Sequence, residues 1–127
     1  MQDRTPLPFA IHGVKPMHDD RRSEPRWPCT LEVSCQPITG KGCDLWWLGE
    51  IRDVSRGGIG LVSTRRFENG IFIAVQLANL ATAASQTRVA RVVHVAASSH
   101  RWFIGCALQT PFDAEDLQAL VVRHPKQ

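Results

Sequence analysis

The chain has 127 residues, is 43% hydrophobic and carries a formal charge of +3. That supports one core and one domain with a short extension, and the charge is too sparse for a general nucleic-acid binder. No apolar run approaches membrane-spanning length and the N-terminus is too short and polar for a secretion signal, so a soluble cytoplasmic protein with no membrane partner is expected.

Residues 1–20 hold three prolines and no sustained periodicity, and read as a flexible N-terminal arm. Alternation then begins: Trp27, Cys29, Leu31, Val33 and Cys35 share one face and Thr30, Glu32, Ser34 and Gln36 the other, which predicts a half-buried strand. A Pro/Gly-rich loop follows over 37–44. Trp46 to Val54 predicts a second strand and Ile59 to Ser63 a short third. Asn69-Gly70 marks a turn, after which Ile71, Ile73, Val75 and Leu77 alternate as a fourth strand. Residues 78–86 are alanine-rich and read as a loop or as one helical turn. Val89 to Val95 is β-branched and predicts a fifth strand; Ser98-Ser99-His100 turns the chain into a sixth, with Trp102, Ile104, Cys106 and Leu108 alternating.

The period then changes. Asp113 suits a helix N-cap, Glu115 and Asp116 favour the first turn, and Leu117, Leu120, Val121 and Ala114 outline an apolar stripe that packs on the strands. Six short strands joined by turns are too few for two comfortable sheets. The predicted fold is all-β: a small six-stranded antiparallel barrel, with the helix closing one end. The barrel with its helix is expected over 21–122, with a tail over 123–127.

Two stretches stand apart from this packing pattern. The first is Arg22-Ser23-Glu24-Pro25-Arg26, an R-x-x-x-R pair. Pro25 pushes Glu24 towards an extended conformation, so the two arginines reach out from the segment entering the first strand. A guanidinium fork binds phosphate bidentately and pairs with guanine O6 and N7. Alone, the spacing is weak: a solvated charge cluster accounts for it equally well. The second is Asp53-Val54-Ser55-Arg56-Gly57-Gly58, a D-x-S-x-x-G turn between strands. As a plain turn, Asp and Ser satisfy backbone groups and Gly supplies conformational freedom. As a site, Asp53 accepts from N–H donors on a guanine edge, Ser55 bridges to a ligand or holds Asp53, and Gly58 removes a side chain that would block a planar base.

Other residues have structural explanations. Cys29, Cys35, Cys43 and Cys106 show no metal-ligand spacing and read as buried thiols in a reducing compartment. Trp46 and Trp47 are adjacent, so one ring should point inward and one outward, the latter towards a base or a partner. His94 reads as an ordinary strand histidine, and Arg65-Arg66 as solvated. No nucleophile elbow, Walker loop or carboxylate pair is present, so no enzymatic activity is expected.

On both motifs, their order and their setting, the chain resembles the PilZ domain family. The resemblance runs on through Gly57-Gly58-Ile59-Gly60-Leu61, Glu68-Asn69-Gly70 and Phe103-Ile104-Gly105-Cys106-Ala107-Leu108, and covers roughly residues 21–120. It implies a small barrel with a C-terminal helix that binds the second messenger cyclic di-GMP. The implied ligand-binding residues are Arg22 and Arg26 from the first motif and Asp53, Ser55 and Gly58 from the second, with Arg21 as a further candidate. No cofactor and no metal is implied beyond that ligand. With no output domain in the chain, the signal is expected to reach a separate, unidentified protein through ordering of the N-terminal arm. The alternatives are an adaptor of the same fold that binds no nucleotide, and a small-barrel binder of single-stranded nucleic acid. The latter lacks the spread of exposed aromatics beside a basic groove that it needs.

Overall fold

A computed structural model describes residues 11, 13–17, 24–39, 45–77 and 86–125. Six strands, β1 (Trp27–Pro37), β2 (Trp47–Val54), β3 (Gly58–Ser63), β4 (Phe72–Leu77), β5 (Gln86–Ser98) and β6 (Arg101–Leu108), precede one helix, α1 (Ala114–Arg123). The strands close into an antiparallel barrel in the order β1-β2-β3-β6-β5-β4. Closure leaves no unpaired edge, which removes the aggregation hazard of an open sheet.

The alternation of β1 is borne out, with Trp27, Cys29, Leu31, Val33 and Cys35 all buried. Ile51, Ile59, Leu61, Ile73, Val75, Val92 and Ile104 meet them inside the barrel. Cys29, Cys35 and Cys106 are free thiols in this interior, and burial pushes each up to about 12 from the ordinary 9.0, Cys29 with a smaller contribution from the Asp53 carboxylate. Cys43, and residues 78–85 of the undecided stretch 78–86, lie outside the described residues, while Gln86 opens β5.

The helix begins where the capping signal placed it. Asp113 accepts a hydrogen bond from the Asp116 N–H at 2.8 Å, satisfying one of the free donors of the first turn. Leu117, Leu120 and Val121 are buried, while Ala114 is exposed. The helix is docked on β1 by the Thr30 N–H, which donates to the His124 carbonyl at 2.8 Å. Arg88 of β5 ties the helix start to the barrel through Asp116 at 2.8 Å and lies over the Phe112 ring. At the other end of the chain, Ile11 is only 4% exposed and joins the core, and Met17 pairs with Arg26 in an isolated antiparallel bridge.

One expectation fails here. Trp46 and Trp47 are both surface residues, 43% and 36% exposed, because β2 starts only at Trp47, at the rim of the barrel beyond its packed interior. The Arg65 guanidinium covers the Trp47 ring at 5.0 Å in place of a core.

Candidate functional site

The fold brings the two sequence motifs into contact. Arg26, one residue ahead of β1, donates from a terminal guanidinium nitrogen to Oδ1 of Asp53 near the end of β2. The pair is sheltered, with side chains 12% and 7% exposed. At the same place Glu24 accepts a hydrogen bond from the Gly57 N–H at 3.2 Å. The R-x-x-x-R segment is therefore fastened to the D-x-S-x-x-G turn at two points. Arg21 and Arg22 lie outside the described residues.

A bulge aims Asp53. Between β2 and β3, Ile51 pairs with Leu61 but Asp53 with Gly60, so Arg52 has no partner on β3. The same residue faces an irregularity on the β1 side, between Pro28 and Leu31. An extra residue of this kind twists a strand and redirects the following side chain. The carboxylate then lies over Gly60. A Cβ built on Gly60 meets both Asp53 oxygens at 2.8 and 2.9 Å and the Phe103 ring at 3.0 Å. Gly60 is thus the residue that makes room for the acid.

Ser55 and Gly58 close the turn. The Ser55 N–H donates to the Gly58 carbonyl at 2.9 Å, and both residues are buried. A Cβ on Gly58 would stand 2.8 Å from the Cys106 carbonyl. Gly58 therefore serves the barrel directly, by letting the turn lie against β6. The Gly57 carbonyl accepts from Leu108 N–H, and that of Arg56 from Phe112 N–H, each at 2.8 Å, which anchors the turn to the segment leading into the helix.

Beside this turn lies a cleft of about 150 Å³, lined by Glu24, Arg26, Ser55 and Gly58 on one side and by Val93, His94, Phe103 and Ala107 on the other. Its floor at Gly58, Gly105 and Ala107 carries nothing larger than a methyl group. Gly58 pairs with Ala107 and Gly60 with Gly105, on strands β3 and β6. A larger depression, about 260 Å³, lies further along β2 and β3 between Glu32, Leu48 and Arg101, but it contains none of the motif residues. Chemistry rather than size singles out the smaller one. A sheltered ion pair contributes little net stability against the desolvation of its two charges. What it offers is bonding capacity: five guanidinium donors and two carboxylate oxygens, of which one bond uses one of each.

Glu24, Gly60, Phe103, Gly105 and His94 carry no site signal in the motifs themselves. For the glycines a signal existed elsewhere, since a glycine inside a strand marks a close approach by another group. For His94 none existed. Its place depends on a second bulge, where Val92 pairs with Cys106 but His94 with Gly105. Among the described residues no cluster of His, Cys, Asp and Glu is arranged to hold a metal, and no helix is long and apolar enough to cross a membrane.

A closed six-stranded barrel with one C-terminal helix and an Arg-Asp pair beside a cleft defines a class. Residues 20–123 match the family model of the PilZ domain, and the chain belongs to that family. Solved structures of the same fold include the Bacillus subtilis inhibitor of motility MotI/DgrA, 21% identical with a TM-score of 0.56 over 83% of this chain and 50% of that one. The K. pneumonia MrkH–c-di-GMP complex is 18% identical, with a TM-score of 0.54 over the same shares. The PilZ domain of CeSA from a cellulose synthesizing bacterium is 18% identical, with a TM-score of 0.48 over 77% of this chain and 91% of that one. The chain spans about half the length of the MotI/DgrA and MrkH chains. No curated protein matches it.

Proposed function

We propose that the protein is a non-enzymatic receptor for cyclic di-GMP. The observation that carries the reading is the meeting of the two motifs: Arg26 on Asp53, beside a glycine-floored cleft closed by Ser55 and Gly58. The solved complex of MrkH, a protein of the same fold, contains this ligand. In this reading the Asp53 carboxylate accepts from a guanine N–H edge and orients Arg26. Arg26 and Arg22, with Arg21 beside it, donate to phosphate and to guanine O6 and N7. Each charge-assisted bond is worth roughly 1.5–3 kcal/mol, enough between several to offset ordering a short segment. The signal then passes to a partner protein through the N-terminal arm, which touches the barrel at Ile11 and Met17 without ligand and which the ligand fixes further through Arg22 and Arg26.

Calorimetric titration with cyclic di-GMP, GTP and cyclic AMP tests this. Micromolar or tighter binding of the first alone is expected. Arg22→Ala with Arg26→Ala abolishes it, with circular dichroism confirming that the barrel still folds. Normal binding by that double variant would refute the phosphate assignment.

One observation favours a second reading, an interaction module of the same fold that binds no nucleotide. Arg26 and the Gly57 N–H already have carboxylate partners within the chain. A thermal-shift series separates the two: ligand at a hundredfold excess over its dissociation constant adds about 2.7 kcal/mol of stability. No shift at high cyclic di-GMP supports the adaptor.

A further inference from the structure

The cleft has a second wall that neither motif supplies. Three consecutive pairings link β2 to β5 across the sheet: Asp53 with Gly60, Gly60 with Gly105, and Gly105 with His94. Directly paired residues project to the same face, so this row runs from the carboxylate over Gly60, which the Asp53 carboxylate and the Phe103 ring cover, to Gly105 and an imidazole. At three strand spacings, Asp53 and His94 are about 14 Å apart along it. The bulge at Val93 turns two consecutive residues to the surface, Val93 at 49% exposure and His94 beside it. Phe103, two residues before Gly105 and so on the same face, packs edge-on against His94, with ring centres 6.3 Å apart and planes at 62°. Among the described residues, no hydrogen bond to the His94 ring accompanies that contact, although the ring sits on the rim of the cleft.

We propose that His94, backed by Phe103, is a ligand residue that reads the second purine of the bound molecule. The inference rests on the receptor reading above and extends it. A ligand with two purines on one phosphodiester ring needs a second place for a base, and the cleft past Gly58 and Gly105 ends at this aromatic pair. Phe103 holds the imidazole edge-on and presents an apolar surface to a base. An imidazole N–H donates to the O6 or N7 acceptors of guanine; adenine carries a donor where guanine carries O6. His94 therefore adds selectivity for guanine as well as affinity.

The test is calorimetry of the full chain with cyclic di-GMP and with cyclic di-AMP, which keeps the phosphodiester ring and exchanges the bases. His94→Ala is expected to weaken cyclic di-GMP binding about fivefold, the worth of one hydrogen bond, and to narrow the preference over cyclic di-AMP by a similar factor. Its melting temperature should not change, because the side chain is exposed. His94→Gln, which retains an N–H donor, should recover part of the preference. Unchanged affinity and preference in His94→Ala, alongside loss of binding in Arg22→Ala, would overturn this inference and leave the receptor reading standing. No binding of cyclic di-GMP by the unaltered chain would overturn both.

Discussion

The two ends of β2 depart from the usual partition of residues in opposite senses. At one end an acid, Asp53, is buried at 5% exposure, beside Ser55 at 4%. At the other, Trp46, Trp47 and Leu48 are 43%, 36% and 71% exposed, next to Leu45 at 63%. The buried acid is costly, and every neighbour accommodates it: Arg26 neutralises it, Gly60 yields space, and the bulge at Arg52 aims it. Among the described residues the exposed aromatics have received no such provision beyond the Arg65 guanidinium over Trp47. A costly group with dedicated support points to chemistry. An apolar group left in water without support is not by itself a site.

The largest expected effect asks whether the two ends form one cooperative unit. The interior between them holds three thiols, pushed up to about 12. An acid raised in the folded state favours folding below its unfolded value, here near 9.0, and that contribution is lost as pH rises towards 12. At pH 10 the three thiols together lose roughly 4 kcal/mol. Few other groups compete, since the chain has no tyrosine and Lys15, Lys41 and Lys126 are its only lysines. Urea midpoints at pH 8 and pH 10 should differ accordingly, with tryptophan fluorescence and backbone circular dichroism reporting the same transition. Separate transitions would break the comparison, because the ends would then be independent.

Next comes Arg26→Ala, which leaves Asp53 sheltered without its cation and should cost about 3 kcal/mol in chemical denaturation. Gly60→Ala follows. Its methyl meets the Asp53 carboxylate and Phe103 at 3.0 Å or less, so about 2 kcal/mol of overpacking is expected, together with loss of ligand. A normal ligand affinity in Gly60→Ala would show that the position of Asp53 does not matter. The smallest effect belongs to the far end. Leu45→Ser with Leu48→Ser should change stability by no more than about 0.5 kcal/mol, because both side chains, 63% and 71% exposed, are already largely in water.

How much of this was legible depended on register. Wherever a strand kept strict alternation, as β1 does, hydrophobic pattern alone located its inner face. Both motifs were legible as chemistry, and their order along the chain is enough to carry the resemblance to the PilZ family. The bulges were not legible. A one-residue irregularity at Arg52 or Val93 leaves no mark in composition, yet it decides where Asp53 and His94 point. The extent of β5 was hidden for a related reason. Its ends, Gln86–Arg88 and Ala96–Ser98, carry no apolar alternation and are held as strand by pairing with β4 and β6. The tryptophan pair misled because alternation fixes direction but not whether the barrel extends far enough to cover a ring.

The most direct measurement is an amide chemical-shift titration of the full chain with cyclic di-GMP. The account predicts shifts concentrated at Asp53, Ser55, Gly57, Gly58 and Gly60, continuing across the row to Gly105 and His94, while Trp47 and Leu48 remain unmoved. Shifts centred on the tryptophan end of β2, or none at millimolar ligand, would contradict it.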